Sequence, residues 1–221
     1  MISDNLESVR DGISRASLKA GRRADEVKLV AVSKKVDADS VRSAAAAGVR
    51  NFGENYIQEA RAKIEMLPDT LCWHMIGHLQ MNKIKYVPRL FHYVHSVDRQ
   101  ELVDGLEKLG KPLRLLFEVN LSGEPQKHGT TVDGLKRMLE NVGSLTSVKP
   151  VGLMTMAPYT DKPEDVRSVF ADLRKLLGQV NRQFSLEMTE LSMGMSSDFE
   201  VAIEEGATMV RIGTALFGER S

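Results

Sequence analysis

The residues of this chain that could do chemistry recur in one kind of place, directly after short apolar runs. The first run, Val27-Lys28-Leu29-Val30-Ala31-Val32-Ser33, ends in Lys34 and Lys35. It reads as a buried strand, rich in valine. A lysine at such a strand end is partly shielded from water, which favours the neutral amine over the ammonium. A neutral amine can attack an aldehyde and form a Schiff base. Lys34 shares a strand face with Val30 and Val32, and Lys35 with Leu29, Ala31 and Ser33. Strand parity leaves open which lysine is used, and ordinary solvated lysines would give the same pattern.

The second anchor is Arg211-Ile212-Gly213-Thr214, after the last apolar run. Glycine lets backbone N–H groups approach a ligand, a helix start favours anions, and Thr214 adds a hydroxyl. A plain glycine turn with a threonine cap explains the same residues. Ser192, Ser196 and Ser197 could complete an anion cup, although Ser197 and Glu200 also have the spacing of a capping box opening a helix. Between the anchors, Gly53-Glu54-Asn55, Gly77-His78, Ser96-Val97-Asp98, Asn120-Leu121-Ser122-Gly123 and Met154-Thr155 each follow an apolar run.

Those residues need a scaffold that points every strand end the same way. Ile2, Leu6, Val9, Ile13 and Ala16 mark an amphipathic helix before the first strand. Seven further strand candidates follow, at 50–53, 71–76, 91–95, 113–120, 148–156, 188–191 and 208–212, alternating with helices. The best helical periodicity is Val166, Val169, Phe170, Leu173, Leu176, Leu177 and Val180, introduced by Asp161 and Pro163. The loop after the fifth strand carries Gly123, Pro125 and Gly129. Alternation implies a parallel sheet with right-handed crossovers. Eight units in 221 residues predict a single-domain (β/α)8 TIM barrel over 1–221 with an extra N-terminal helix. An open doubly wound sheet is the alternative, but its first turn is usually glycine-rich, and Ser33-Lys34-Lys35-Val36-Asp37 has no glycine.

Thirty basic residues balance thirty acidic ones, which gives no sign of a polyanion partner. The basic face at Lys83, Lys85 and Arg89 reads as solvated, so no nucleic-acid binding is expected. One cysteine, Cys72, fits a reducing compartment, and no membrane span or signal sequence is legible, so a soluble cytoplasmic protein is expected. His74 and His78 have four-residue spacing but span a strand end, with no helix to align them, so no metal is expected. Met154, Met156, Met193 and Met195 fall at the expected barrel mouth and could pack on a ring.

Five stretches carry a family resemblance: Val32-Ser33-Lys34, Phe52-Gly53-Glu54-Asn55-Tyr56, His74 through Lys83, Leu191 through Ser196, and Val210 through Gly218. In this order, spread over essentially the whole chain, they resemble the pyridoxal phosphate homeostasis protein family. The resemblance implies a barrel like that of alanine racemase, holding pyridoxal 5′-phosphate (PLP). Lys34 then matches the Schiff-base lysine, and only this motif selects it over Lys35. Gly213 and Thr214 match the phosphate turn, with Ser192, Met193 and Ser196 nearby. Arg211 matches the residue facing the pyridine nitrogen, and Asn55 and His78 match motif positions around the cofactor.

The resemblance also implies a role. Arginine only donates, so Arg211 would leave the pyridine nitrogen unprotonated and the electron sink weak. A racemase needs two bases, and similar racemases take the second from an additional β-domain, which is not expected in a chain ending at Ser221. The expectation is a monomeric carrier that stores, buffers or delivers PLP to PLP-dependent apo-enzymes, with no catalytic residue. A small PLP-dependent racemase or lyase with Lys34 as base is the alternative, and an aldolase acting on a sugar phosphate is a third class. Glu118, on the strand face of Asn120, either neighbours Lys34 inside the barrel or pairs with a buried cation.

Overall fold

Short apolar runs separated by helices are realised as a closed ring of parallel strands. The computed structural model describes residues 1–124 and 128–219. The strands are β1 (Lys28–Val32), β2 (Asn51–Glu54), β3 (Cys72–Met75), β4 (Tyr93–Val97), β5 (Leu113–Glu118), β6 (Val148–Met154), β7 (Glu190–Ser192) and β8 (Met209–Ile212). Each pairs with its sequence neighbour, and β8 returns to β1 through Leu29↔Val210 and Ala31↔Ile212, closing the barrel. The chain therefore has the expected (β/α)8 barrel. Pro125 of the expected loop lies outside the described residues.

The helices are α1 (Ile2–Lys19), α2 (Ala38–Ala46), α3 (Ile57–Ile64), α4 (Val87–Leu90), α5 (Gln100–Lys108), α6 (Val132–Leu139), α7 (Arg167–Phe184), α8 (Phe199–Glu204) and α9 (Thr214–Phe217). Alternation along each strand sorts the core into two layers. Ala31, Phe52, Leu115, Leu153 and Ile212 pack outward with helical residues such as Leu102, Leu135, Phe170 and Leu173. Val30, Tyr93, Leu116, Met154 and Met209 form a separate cluster inside the ring.

Helix α1 buries Leu6, Val9, Ile13 and Ala16. Its Gly12 lies so close to Phe199 that a Cβ there would come within 2.7 Å of the ring. Asn5 Nδ2 donates to the Leu216 carbonyl at 3.0 Å, fixing the added helix beside the last unit.

Two local expectations are corrected. The 3₁₀ turn Pro163–Val166 precedes α7, so Asp161 and Pro163 introduce that turn and not the α-helix itself. The Ser197–Glu200 capping box does not form. Asp198 is the N-cap of α8, and its carboxylate instead accepts from the Met195 N–H at 2.6 Å.

Candidate functional site: a cavity at the barrel mouth

The carboxyl ends of the strands meet at one mouth, where barrels of this kind carry their chemistry. Lys34 follows β1 in a tight turn closed by the Val36 N–H donating to the Ser33 carbonyl at 3.0 Å. Lys35 takes the left-handed conformation, with φ 57°, which reverses the chain and leaves Lys35 exposed while Lys34 stays half-buried. A non-glycine residue in that region is strained unless its surroundings hold it.

The hold comes from beneath. Lys63, buried in α3, donates to the Ser33 carbonyl and to Glu54 Oε1 at 2.6 Å, and pairs with Glu59 Oε1 at 2.8 Å. Ser33 Oγ also donates to Glu54 Oε1, at 2.6 Å, and the Lys35 N–H donates to Glu59. Burial pushes the Glu54 carboxyl up, against the pull of Lys63 and Ser33.

Lys34, Asn55, Ser196, Arg211, Gly213 and Thr214 line one cavity of 410 Å³. Val32, Ile76, Met156 and Met195 supply apolar walls, and Ser197 and Tyr159 stand at its edge. Ser196 Oγ accepts from the Gly213 and Ala215 N–H groups, both at 3.3 Å, so a hydroxyl and two backbone donors converge at the start of α9. The cavity thus has an amine on one side and a hydrogen-bonding cup on another.

Arg211 forms part of the cavity boundary yet is buried. Burial pushes its guanidinium down to about 10, and the charges of Glu118 and Asp198 oppose that. It remains a cation at neutral pH. Its Nη2 donates to the Thr155 carbonyl at 3.0 Å and its Nη1 to Ser192 Oγ at 2.7 Å. Ser192 meets His95 Nδ1 at 2.9 Å, His95 Nε2 meets His74 Nδ1 at 2.9 Å, and His74 Nε2 reaches Asn51 Oδ1 at 3.2 Å.

Both imidazoles are neutral. Burial, aided by the charge of His92, pushes His74 down to about 3, and burial with His74 holds His95 well below its ordinary value. With Asn51 Oδ1 accepting at the far end, one direction satisfies the whole chain. Arg211 donates to Ser192, Ser192 to His95, His95 to His74, and His74 to Asn51.

Glu118 is buried, on the strand face of Leu116, inside the barrel. Burial, with the charge of Asp98, raises its carboxyl to about 7, and Arg211 opposes the rise. Glu118 thus lies on the inward face of β5, within range of the Arg211 charge.

Three expected site residues stand outside the cavity wall. Ser192 lies one layer below it, reached through Arg211. Met193 is fully buried, in the layer packed against the helices. His78 opens onto a neighbouring groove of 270 Å³, of which Asn55 is also a wall. Its ring stacks on His128 at 4.3 Å, and its Nδ1 is 3.6 Å from Asp98 Oδ2. Met154 packs inside the ring, below the cavity, while Met156 and Met195 reach it.

Sequence reasoning missed Ile76 and Tyr159 as lining residues, and His95 altogether. His95 had a legible signal, a titratable residue in phase with Tyr93 on a strand candidate.

Residues 5–221 match the family model described as alanine racemase, N-terminal domain. The pyridoxal phosphate homeostasis protein of Aquifex aeolicus is 44% identical over 98% of this chain and 97% of its own length. The structure of PipY from Synechococcus elongatus, solved with PLP bound, superposes with a TM-score of 0.87 at 38% identity, covering 99% of this chain and all of that one. Alanine racemase from Corynebacterium glutamicum shares the fold, with a TM-score of 0.74 at 17% identity over 97% of this chain and 61% of its own.

Proposed function

The chain belongs to the pyridoxal phosphate homeostasis protein family, and from that premise we propose that it binds PLP on Lys34 and carries the cofactor without turning over a substrate. One observation supports this reading above the others. Lys34 and the Gly213–Thr214 turn line the same cavity, together with the apolar Val32, Ile76, Met156 and Met195.

The residues present fit the cofactor. Lys34 supplies the amine, which condenses with the aldehyde to a Schiff base with loss of water. Gly213, Thr214 and Ser196 offer backbone N–H and hydroxyl groups to the phosphate. Val32, Ile76, Met156 and Met195 suit a flat ring. Asn55 adds a polar side chain to the wall. Arg211 is assigned to the ring nitrogen, and Ser192 acts through Arg211 by fixing its guanidinium.

The cavity's own proton carriers weigh against turnover. Bound PLP supplies an electron sink, but Arg211 can only donate to it, which keeps that sink weak. Among the described lining residues, Tyr159 is the remaining candidate for a second base beside Lys34. Its phenol is exposed and donates to Asp161 at 3.0 Å, and that hydrogen bond pushes its pKa up. A phenol so held is a poor base at neutral pH.

We place this carrier in the cytoplasm as a monomer that hands PLP to PLP-dependent apo-enzymes. The lone half-buried Cys72 supports a reducing compartment. Among the described residues no helix is long and apolar enough to cross a membrane.

The test is binding and turnover on one preparation. The purified protein is expected to take up one equivalent of PLP and turn yellow, and to racemise or decarboxylate no common amino acid at ordinary enzyme rates. Rapid racemisation lost in Tyr159→Phe would instead favour a small PLP-dependent racemase.

A further inference from the structure

His78 belongs to the sequence motifs but not to the Lys34 cavity, and the structure gives it other company. We propose that His78, Asp98 and His128 form a binding site for one divalent transition-metal ion on the β3–β5 side of the mouth. The proposal does not depend on PLP binding.

The three residues come from the ends of three successive units. His78 follows β3, Asp98 follows β4 directly, and His128 lies on the return leg of the loop after β5. That leg is tied to the barrel. The Thr130 N–H donates to the Glu118 carbonyl at 2.8 Å, and the Asn120 N–H to the Thr130 carbonyl at 3.0 Å. Gly129, at φ 111°, presses so close that a Cβ would sit 2.8 Å from Asn120 N. His128 is thereby held over the mouth, stacked on His78.

One ligand atom from each residue lies within 4.8 Å of the other two. An ion bound tetrahedrally at ordinary bond lengths needs its ligand atoms about 3.4 Å apart. His78 and His128 are exposed, so rotation of their rings closes that gap without moving the backbone. Asp98 is oriented for the task. Arg99 binds Oδ1 and anchors its own Nη2 on the Leu79 carbonyl at 2.8 Å, while Oδ2 is turned toward His78. Such an outer partner fixes a ligating carboxylate.

Two imidazoles and one carboxylate select ions of the zinc, nickel or cobalt class over magnesium and calcium, which want oxygen ligands. Three protein ligands leave coordination positions for water or a small ligand. The neighbouring pair His74 and His78 is not the site, because His74 is turned into the barrel toward His95.

The test uses the full chain, freed of PLP and stripped of metal, titrated with zinc sulfate and separately with magnesium chloride by calorimetry and equilibrium dialysis. One zinc per chain and no magnesium are expected. His78→Ala and His128→Ala should each weaken zinc about tenfold or more. His92→Ala, at an exposed histidine outside the cluster, should bind as the parent does. X-ray absorption should show nitrogen and oxygen ligands with imidazole scattering. Absence of zinc binding, losses below threefold in both histidine variants, or a sulfur ligand from Cys72 would each overturn the proposal. Either histidine variant suffices if the other fails to fold, as judged by circular dichroism.

Discussion

Arg211 Nη1 donates to Ser192 Oγ at 2.7 Å, and through that single hydroxyl the cation at the cavity is connected to two neutral histidines inside the barrel. Arg211 Nη1 and His95 Nδ1 both bond this hydroxyl, so removing it takes a partner from a charged donor and from an imidazole acceptor. Ser192→Ala is expected to cost about 1.5–3 kcal/mol, the range for a hydrogen bond to a charged group. Urea unfolding at neutral pH measures it. The same variant frees one edge of the guanidinium, so the absorption band of bound PLP is expected to shift while the stoichiometry stays at one.

The buried histidines make stability depend on acid. His74 is pushed down to about 3 in the folded protein, so between its ordinary value and that one the unfolded chain binds a proton that the folded chain refuses. Stability from this group is complete above about pH 6.5 and is lost as pH falls toward 3. Each such histidine adds a slope of about 1.4 kcal/mol per pH unit in that window. Denaturation curves at pH 5 and 6.5 should show this slope reduced in His74→Gln by about one proton's worth. An unchanged slope would mean that His74 is protonated when folded.

Glu118 works in the opposite direction. Its folded carboxyl is raised to about 7, so its contribution to stability is complete below the ordinary carboxyl range and is lost as pH rises to 7. Glu118→Gln removes that loss. The variant's stability relative to the parent should increase from pH 4.5 to 7.5, by up to about 3 kcal/mol, and then level off. Thermal melts across that range check the sign.

Lys63 holds the turn that presents Lys34, through the Ser33 carbonyl and Glu54. Lys63→Ala leaves Glu54 buried without its cation, and breaking a buried pair in this way costs about 3–5 kcal/mol. A Lys63→Met and Glu54→Leu double variant should regain much of that stability. It should still take up PLP more slowly than the parent, because the Ser33 carbonyl is no longer gripped. Stopped-flow absorbance separates that effect from the change in stability.

The barrel was legible because its evidence is periodic. Valine-rich β1, apolar β5 and the heptad-like face of α7 each announce an element, and their alternation announces the sheet. The cavity was partly legible, since Lys34, Asn55, Ser196, Gly213 and Thr214 follow strands, Arg211 lies near the end of β8, and all six line it. What stayed hidden depends on direction and on long-range contact. Parity left Lys34 and Lys35 open and only the family motif chose between them; the left-handed turn at Lys35 leaves Lys34 as the lysine that lines the cavity. His95, Ser192 and Arg211 meet across the barrel, and no local pattern reports a contact between β4, β7 and β8. His78 sits in a strong motif, yet it lines a separate groove and stacks on His128, a contact between the β3 and β5 loops that no local pattern reports. The Ser197 capping spacing misled because Asp198, one residue later, took the cap position.

The most direct measurement is borohydride reduction of the PLP-loaded protein followed by peptide mapping. The reduced adduct is expected on Lys34, with Lys35→Ala still yellow and Lys34→Ala folded but colourless. An adduct on Lys35 or any other lysine, or a Lys34→Ala protein that keeps its colour, would contradict the assignment of this amine to the cofactor.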